Sequence, residues 1–177
     1  TGKADTTRGQ HAILGIFEHR SRTCLTLRAL ADKSTIALLR CLLDAIEQFG
    51  KPRTLRTDNE AVFTSRLFRF ALRVLDVQHQ RTEPAHSWQN GRIERFFGTL
   101  KQKIDHWSID HRDELNSALQ QFRLWYNHVR PHDYLNGRTP AEVWNGIDPF
   151  MQAPKRTELF SAWDGLLTGV CCGSSVA

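Results

Sequence analysis

The apolar residues in the first part of the chain follow two periodicities, one typical of strands and one typical of helices. Residues 11–17 and 23–30 have the composition of strands. A polar interruption around Gly9 separates the first of these runs from Asp5, which predicts a hairpin with its turn near Gly9. We therefore expect three strands before residue 31.

Helical spacing begins after this region. Ser34 is a predicted N-cap, and the apolar residues that follow it recur at intervals of three and four until Gly50 ends the helix. A short extended segment at 54–57 leads into Asp58, and Ser65 is expected to cap a second helix that runs through residue 75.

The remaining pattern predicts a strand at 77–81, a loop at 82–90, a long helix over about 90–107 and a further helix over about 113–129. The order βββ-α-β-α-β-α-α implies a mixed sheet covered by helices. The expected core stripe of the long helix is Ile93, Phe97, Leu100, Ile104 and Trp107.

No internal repeat or low-complexity tract divides the chain, and 177 residues suit one domain. We expect a core over 1–110, a C-terminal helical extension of that core over 111–150 and a tail over 151–177. No apolar run has the length of a membrane span, and the start of the chain lacks a signal-peptide centre. Four cysteines without a CxxC pair favour free thiols in a reducing cytoplasm.

Positive charge is concentrated in the middle of the chain. Residues 51–103 hold eleven Lys or Arg against five acids, although the formal net charge of the whole chain is only +5. Such a distribution fits a surface that binds a polyanion, and it equally fits a solvated basic face.

Two acidic residues in this region lie at positions typical of catalytic residues, at the end of a strand and at the start of a helix. Asp58 ends a predicted strand, Glu94 lies in the first turns of a predicted helix, and 35 residues separate them. The spacing alone is weak because 19 acids in the chain would produce such pairs by chance. The surrounding residues therefore decide the interpretation.

Three segments around these acids form a recognisable series. Residues 56–63 read RTDNEAVF, residues 88–101 read WQNGRIERFFGTLK, and residues 126–132 read YNHVRPH. Thr139-Pro140 and Trp144 follow the third segment. In this order the segments resemble the catalytic core of DDE transposases and retroviral-type integrases, in particular the transposases of bacterial insertion sequences.

The resemblance implies a ribonuclease-H-like α/β fold with a five-stranded mixed sheet flanked by helices. It also implies that Asp5, Asp58 and Glu94 are the catalytic and metal-binding residues, with Asp5 on the first strand. Residues 1–4 (TGKA) depart from the aromatic and apolar residues that usually lead into this Asp. Glu18 occupies a position where the family often has Asp, and we interpret it as supporting structure.

Three carboxylates suit a pair of hard cations, since Mg²⁺ prefers oxygen ligands. Two Mg²⁺ ions, for which Mn²⁺ can substitute, would activate the attacking oxygen and stabilise the leaving oxygen at phosphorus. The resemblance implies two steps. Water attacks a phosphodiester at the transposon end, and the freed 3′-hydroxyl then attacks target DNA.

DNA contacts are expected at Lys101, Asn90, Arg95 and Trp88. Lys101 shares a helix face with Glu94 two turns earlier, although an ion pair with Asp105 is the alternative. Arg95 could equally be a solvated charge, and Trp88 could equally be packed. His132 is more often structural.

The expected partners are DNA, as transposon ends and target, and further copies of this chain, without a membrane. We expect a bacterial cytoplasmic protein that joins the nucleoid when it binds DNA. No end-binding domain precedes Thr1, so weak DNA binding with little sequence preference is expected. Two rival functions are a non-catalytic DNA-binding or assembly domain of a decayed transposase and a ribonuclease-H-like nuclease without strand transfer.

Overall fold

Three antiparallel strands at the start of the chain form the first sheet, in the order β1-β2-β3. They are β1 (Gly2–Thr6), β2 (Gly9–Phe17) and β3 (Cys24–Ala29). β1 and β2 pair as the predicted hairpin, with Thr6 opposite Gly9. The computed structural model describes residues 2–6, 9–82, 91–106, 109–149, 151 and 156–173.

The middle of the chain alternates helices with two parallel strands. Its elements are α1 (Thr35–Phe49), β4 (Thr54–Thr57), α2 (Ala61–Thr64), α3 (Arg66–Val74) and β5 (Gln78–Arg81). Ser34 and Ser65 cap α1 and α3 as predicted, because each side chain accepts a hydrogen bond from a backbone N–H of the first turn. Gly50 ends α1 at a φ of 89°, a conformation that favours glycine.

Helices dominate the next part, and a hairpin follows them. The elements are α4 (Gly91–Ile104), α5 (Arg112–His128), a 3₁₀ turn (Asp133–Leu135), α6 (Pro140–Trp144), β6 (Arg156–Ala162) and β7 (Leu167–Gly173). The predicted loop at 82–90 lies, after Thr82, outside the described residues. Within the described ranges, no helix is long and apolar enough to cross a membrane.

The strands differ from the expected sheet in two respects. The five expected strands are present, but in the described residues they form a three-stranded antiparallel group and a two-stranded parallel group rather than one continuous sheet. The β6–β7 hairpin was not predicted, because residues 151–177 were interpreted as a tail. The hairpin is held by Trp163 and Leu167, whose side chains are fully buried in the core.

The two faces of the first sheet bury separate clusters. One cluster joins β1–β3 to α4, α5 and the β6–β7 hairpin, and the other joins β2 to α1 and α3. The predicted stripe of α4 was wrong at its first residue, because Ile93 is exposed. Phe96, rather than Ile93, is buried with Leu100 and Ile104, because its ring meets those of Phe17, Phe122 and Tyr126. Trp107 lies outside the described residues.

The outer edge of β3 is covered by side chains of α5. Four of them, spaced four, three and four residues apart, reach the edge from one helix face. They are Asn116, Gln120, Arg123 and Asn127, and they bond backbone groups of Ala29, Leu27, Leu25 and Cys24 in that order. An unpaired strand edge would otherwise need solvent or another strand. α5 therefore completes the first sheet.

The 126–132 segment has a structural role at the end of α5. The His132 ring packs edge-on against the Tyr126 ring at 4.7 Å between centroids. Burial, followed by the positive charges of Arg130 and Arg22, lowers the pKa of His132 to about 4. The structural interpretation of His132 is thus supported by its packing.

Asn127→Ala tests the attachment of α5 to β3. The buried Asn127 amide accepts from the Cys24 N–H and donates to the Cys24 carbonyl, each at 2.9 Å. Its loss leaves buried backbone groups without partners, so the free energy of unfolding should fall by about 1–3 kcal/mol in urea denaturation. Gln121→Ala, at an exposed position of the same helix, should change it by less than about 0.5 kcal/mol. Equal losses in both variants would contradict the role of the edge contacts.

His132→Gln tests the burial of the imidazole. A histidine pKa lowered from 6.5 to about 4 contributes stability that is present above pH 6.5 and is lost as the pH falls toward 4. After allowance for solvent screening, His132→Gln should remove about 1–2 kcal/mol of the stability loss between pH 7 and pH 5. Urea denaturation at both pH values measures it. The exposed His106→Gln control should keep the wild-type pH dependence, and an unchanged dependence in His132→Gln would refute the claim.

Candidate active site

Asp58 directly follows the carboxyl end of β4, which lies beside the carboxyl end of β5. Its Oδ1 accepts a hydrogen bond from the Glu60 N–H at 3.1 Å, and its carbonyl accepts one from Thr57 Oγ1 at 2.9 Å. The neighbouring Asn59 amide donates to the Thr82 carbonyl at 2.7 Å. These bonds fix the turn after β4 to the end of β5, so the half-buried Asp58 has a defined backbone position.

The backbone of Asp5 lies in β1, opposite Gln10 of β2, as the sequence predicted. Helix α4 packs against this strand. The contact is close at Gly2, where a Cβ atom would overlap the Phe97 ring of α4. A larger residue at position 2 would have to displace the Phe97 ring.

Glu94 lies in the first turn of α4, and its side chain is exposed. The start of this helix is fixed by Arg92, whose guanidinium donates to the His19 carbonyl at 2.9 Å and lies 3.3 Å from His19 Nε2. The β2–β3 turn that holds His19 therefore determines where Glu94 stands.

That turn is itself stabilised by Glu18. Its carboxylate accepts hydrogen bonds from the Arg20 N–H and from both the N–H and the hydroxyl of Ser21. These bonds lower the pKa of Glu18 against the opposing effect of desolvation, which is the largest single influence. Glu18 is therefore supporting structure, as the sequence analysis expected.

The contacts that surround Arg92 were not predicted from the sequence. Arg22 stacks on the Tyr134 ring at 3.7 Å from the centroid, and Arg92 approaches the same ring at 5.4 Å. Burial, then the charges of Arg92 and Arg56, lowers the pKa of His19. The site is thus electropositive beside Glu94. No periodicity marks Tyr134, and only its place beside the 126–132 segment could have drawn attention to it.

The other residues predicted to bind DNA differ in where the structure places them. Lys101 is exposed, and among the described residues no ion pair joins it to Asp105. Arg95 is also exposed, whereas Lys103 donates to the Leu166 carbonyl. Asn90 and Trp88 lie outside the described residues.

The donor chemistry of the three acids fits a divalent metal, since carboxylate oxygens are the ligands that Mg²⁺ prefers. Asp5 and Glu94 belong to elements in contact, and Asp58 ends β4. The side chain of Asp5 is outside the described part of the chain. Among the side chains that are described, no group of three His, Cys, Asp or Glu lies close enough to hold a metal ion.

The chain is similar in sequence to a protein family, to an insertion-element protein and to a viral Pol polyprotein. Residues 75–140 match the family described as integrase core domain. An uncharacterized 39.2 kDa protein of an insertion element from Xanthomonas euvesicatoria is 34% identical over 104 residues, which is 57% of this chain and 30% of that protein. The Pol polyprotein of equine infectious anemia virus is 28% identical over 145 residues, 80% of this chain and 12% of the polyprotein. The chain thus spans less than a third of these relatives.

Solved structures establish the fold. The catalytic core domain of HTLV-2 integrase in complex with magnesium has a TM-score of 0.64 at 17% identity, over 80% of this chain and 90% of that one. A chain of the simian T-cell lymphotropic virus intasome, solved with a PP2A regulatory subunit, has a TM-score of 0.70 at 17% identity, over 97% of this chain and 64% of that one. Residues 75–140 thus match the integrase core domain family, and the chain has the ribonuclease-H-like fold of retroviral integrase catalytic cores.

Proposed function

We propose that this chain is the catalytic core of a DNA transposase or integrase, which hydrolyses a phosphodiester at a transposon end and then transfers that end to target DNA. One observation carries the proposal: a carboxylate follows β4, another stands in the first turn of α4, and α4 packs on the strand that contains Asp5. This arrangement, in a chain with the integrase-core fold, is the one that polynucleotidyl transfer needs.

Asp5, Asp58 and Glu94 are the proposed ligands of two Mg²⁺ ions, with Mn²⁺ able to substitute. When bound, the ions would supply the charge that activates an attacking oxygen and stabilises a leaving one. The Glu60 N–H holds one oxygen of Asp58. Arg92, through His19, sets the position of Glu94. These contacts reduce the reorganisation that the carboxylates would need in order to converge.

Lys101 and Arg95, both exposed on α4, are the proposed phosphate contacts beside the carboxylates. Asn90 and Trp88 remain proposed DNA contacts in the segment before the helix. Transposon ends and target DNA are the proposed substrates, and several copies of the chain would act together because two ends must be joined. A bacterial, nucleoid-associated setting follows from the same proposal. Residues 1–110 would form the catalytic unit and residues 111–150 its helical extension, and the β6–β7 hairpin packs on the core that they share.

Asp58→Asn and Glu94→Gln test the proposed ligands. Each substitution keeps the shape of the side chain but removes its negative charge, so Mn²⁺-dependent nicking of supercoiled DNA should fall by more than about a hundredfold. Asp5→Asn should have the same effect. Glu47→Gln, an exposed acid on α1, serves as the matched control and should retain full activity. Wild-type protein that binds DNA yet never nicks it would instead favour the non-catalytic assembly domain.

Strand transfer separates the proposed transposase from a nuclease of the same fold. With pre-cleaved ends and a labelled target, the protein should join the 3′-hydroxyl of the end to the target. The joined product is resolved on a denaturing gel. Hydrolysis of the target without any joined product would favour the nuclease, whereas both activities should disappear together in Asp58→Asn.

Lys101→Gln tests the phosphate contact beside the carboxylates. Each neutralised phosphate contributes about 0.9 to the slope of log K against log salt concentration, so this variant should lower the slope by about one. Fluorescence anisotropy with a duplex at several salt concentrations measures the slope. Arg40→Gln, an exposed position on α1, should leave it unchanged. Equal slopes for wild type and Lys101→Gln would exclude this contact.

A further inference from the structure

A second basic surface lies along α3 and the free edge of β5. It is an open groove with five arginines, and we call it the arginine groove. The arginines are Arg53, Arg66, Arg69, Arg73 and Arg81. The buried Leu72 and Val77 form its floor, and Phe70 stands exposed in its wall.

In the part of the chain that the structure describes, no ion pair neutralises the charges of the arginine groove. All five arginine side chains are exposed, and none forms an ion pair or a side-chain hydrogen bond within the described residues. Asp76 is the one acid among the lining residues, and its carboxylate lies 3.5 Å from the Lys51 ammonium. The groove therefore presents a field of one sign, which attracts a polyanion.

The pKa of His79, a half-buried residue that lines the groove, is lowered by burial and by this positive charge. Burial, and then the positive charges of Arg81 and Arg69, lowers the pKa of His79. The imidazole is held by the Thr57 hydroxyl at 2.9 Å and by the edge of the Phe68 ring. The cleft along α3 and the cleft along β5 share Arg69 and Arg73 in their walls, so the arginines of both elements face one groove.

The geometry of the arginine row suits a regular array of phosphates. Arg66, Arg69 and Arg73 recur at helical spacing, so they follow one side of α3 over about 10 Å. One DNA strand places a phosphate about every 3.4 Å along the duplex axis, so this row spans about three phosphates. Single-stranded nucleic acid is usually held by several stacking aromatics, and among the lining residues only Phe70 is a large exposed aromatic.

The groove also has a direction. It begins at Arg53, whose carbonyl accepts from the Gln78 N–H at the start of β5. It ends at Arg81, which pairs with Thr57, the residue before Asp58. A duplex that follows the edge of β5 is therefore led toward the carboxylate at the end of β4.

We propose that the arginine groove binds the sugar-phosphate backbone of duplex DNA, independently of base sequence, and guides it toward Asp58. This inference rests on the proposed function for the identity of the polyanion. It adds a binding surface on α3 and β5 that is separate from Lys101 and Arg95 on α4.

The test compares two triple variants of the whole chain. Arg66→Gln/Arg69→Gln/Arg73→Gln removes three charges from the groove, and Arg28→Gln/Arg40→Gln/Arg112→Gln removes three charges from β3, α1 and α5. Fluorescence anisotropy with a 20-base-pair duplex of arbitrary sequence is measured over a range of salt, with EDTA present. The groove variant should lower the slope of log K against log salt concentration by about two to three and weaken binding at least tenfold at 0.1 M salt. The control should change the slope by less than one.

Several outcomes decide the inference. Equal losses in the two variants would overturn it, because net charge alone would then explain binding. Displacement of the duplex by poly-glutamate at equal charge concentration would also overturn it, as would tighter binding of a single strand of the same length. Circular dichroism and thermal melting confirm that each variant is folded. EDTA prevents metal-dependent cleavage, so this experiment measures DNA binding alone. Loss of binding by the groove and loss of nicking by Asp58 and Glu94 are therefore distinguishable outcomes.

Discussion

The free edge of β3 is the constraint on which the rest of this structure depends. A three-stranded sheet that ends at β3 would expose backbone donors and acceptors, which are costly to bury and prone to pair with other chains. Helix α5 covers that edge with four polar side chains from one face, while its apolar face enters the core through Leu115, Leu119 and Phe122. The sheet and the helix therefore stabilise each other, and both are needed to hold α4.

Helix α4 is positioned by packing at three places. Phe96 contacts the rings of β2 and α5, Phe97 lies against Gly2 of β1, and Arg92 binds the turn after β2. These contacts fix both the rotation and the start of the helix. The position of the first turn, which contains Glu94, is therefore set by residues that have no proposed chemical role. Arg22 and Tyr134 extend this support to the segment after α5.

Much of the fold could be predicted from sequence because local signals were strong. Ser34, Ser65 and Gly50 mark helix ends by hydrogen bonding and by φ, and the polar segment around Gly9 forms the predicted turn between Asp5 and the apolar run at 11–17. The first residue of the α4 stripe was wrong because Ile93 and Phe96 are both apolar, and only tertiary ring contacts select Phe96. The β6–β7 hairpin was missed because its strands mix apolar and polar residues without a clear period, and its burial depends on the contact between Trp163 and the distant Phe122. Asp5, Asp58 and Glu94 were identified as metal ligands by the resemblance of their motifs, and their convergence on one site is a proposal.

The most direct test of the central claim is a crystal structure of this chain soaked in Mn²⁺, with anomalous diffraction to locate the ions. The account predicts two anomalous peaks about 4 Å apart, in contact with the carboxylates of Asp5, Asp58 and Glu94. Peaks elsewhere on the surface, with these three carboxyl groups more than about 10 Å from one another, would contradict it, since paired ions at that spacing could not bridge them.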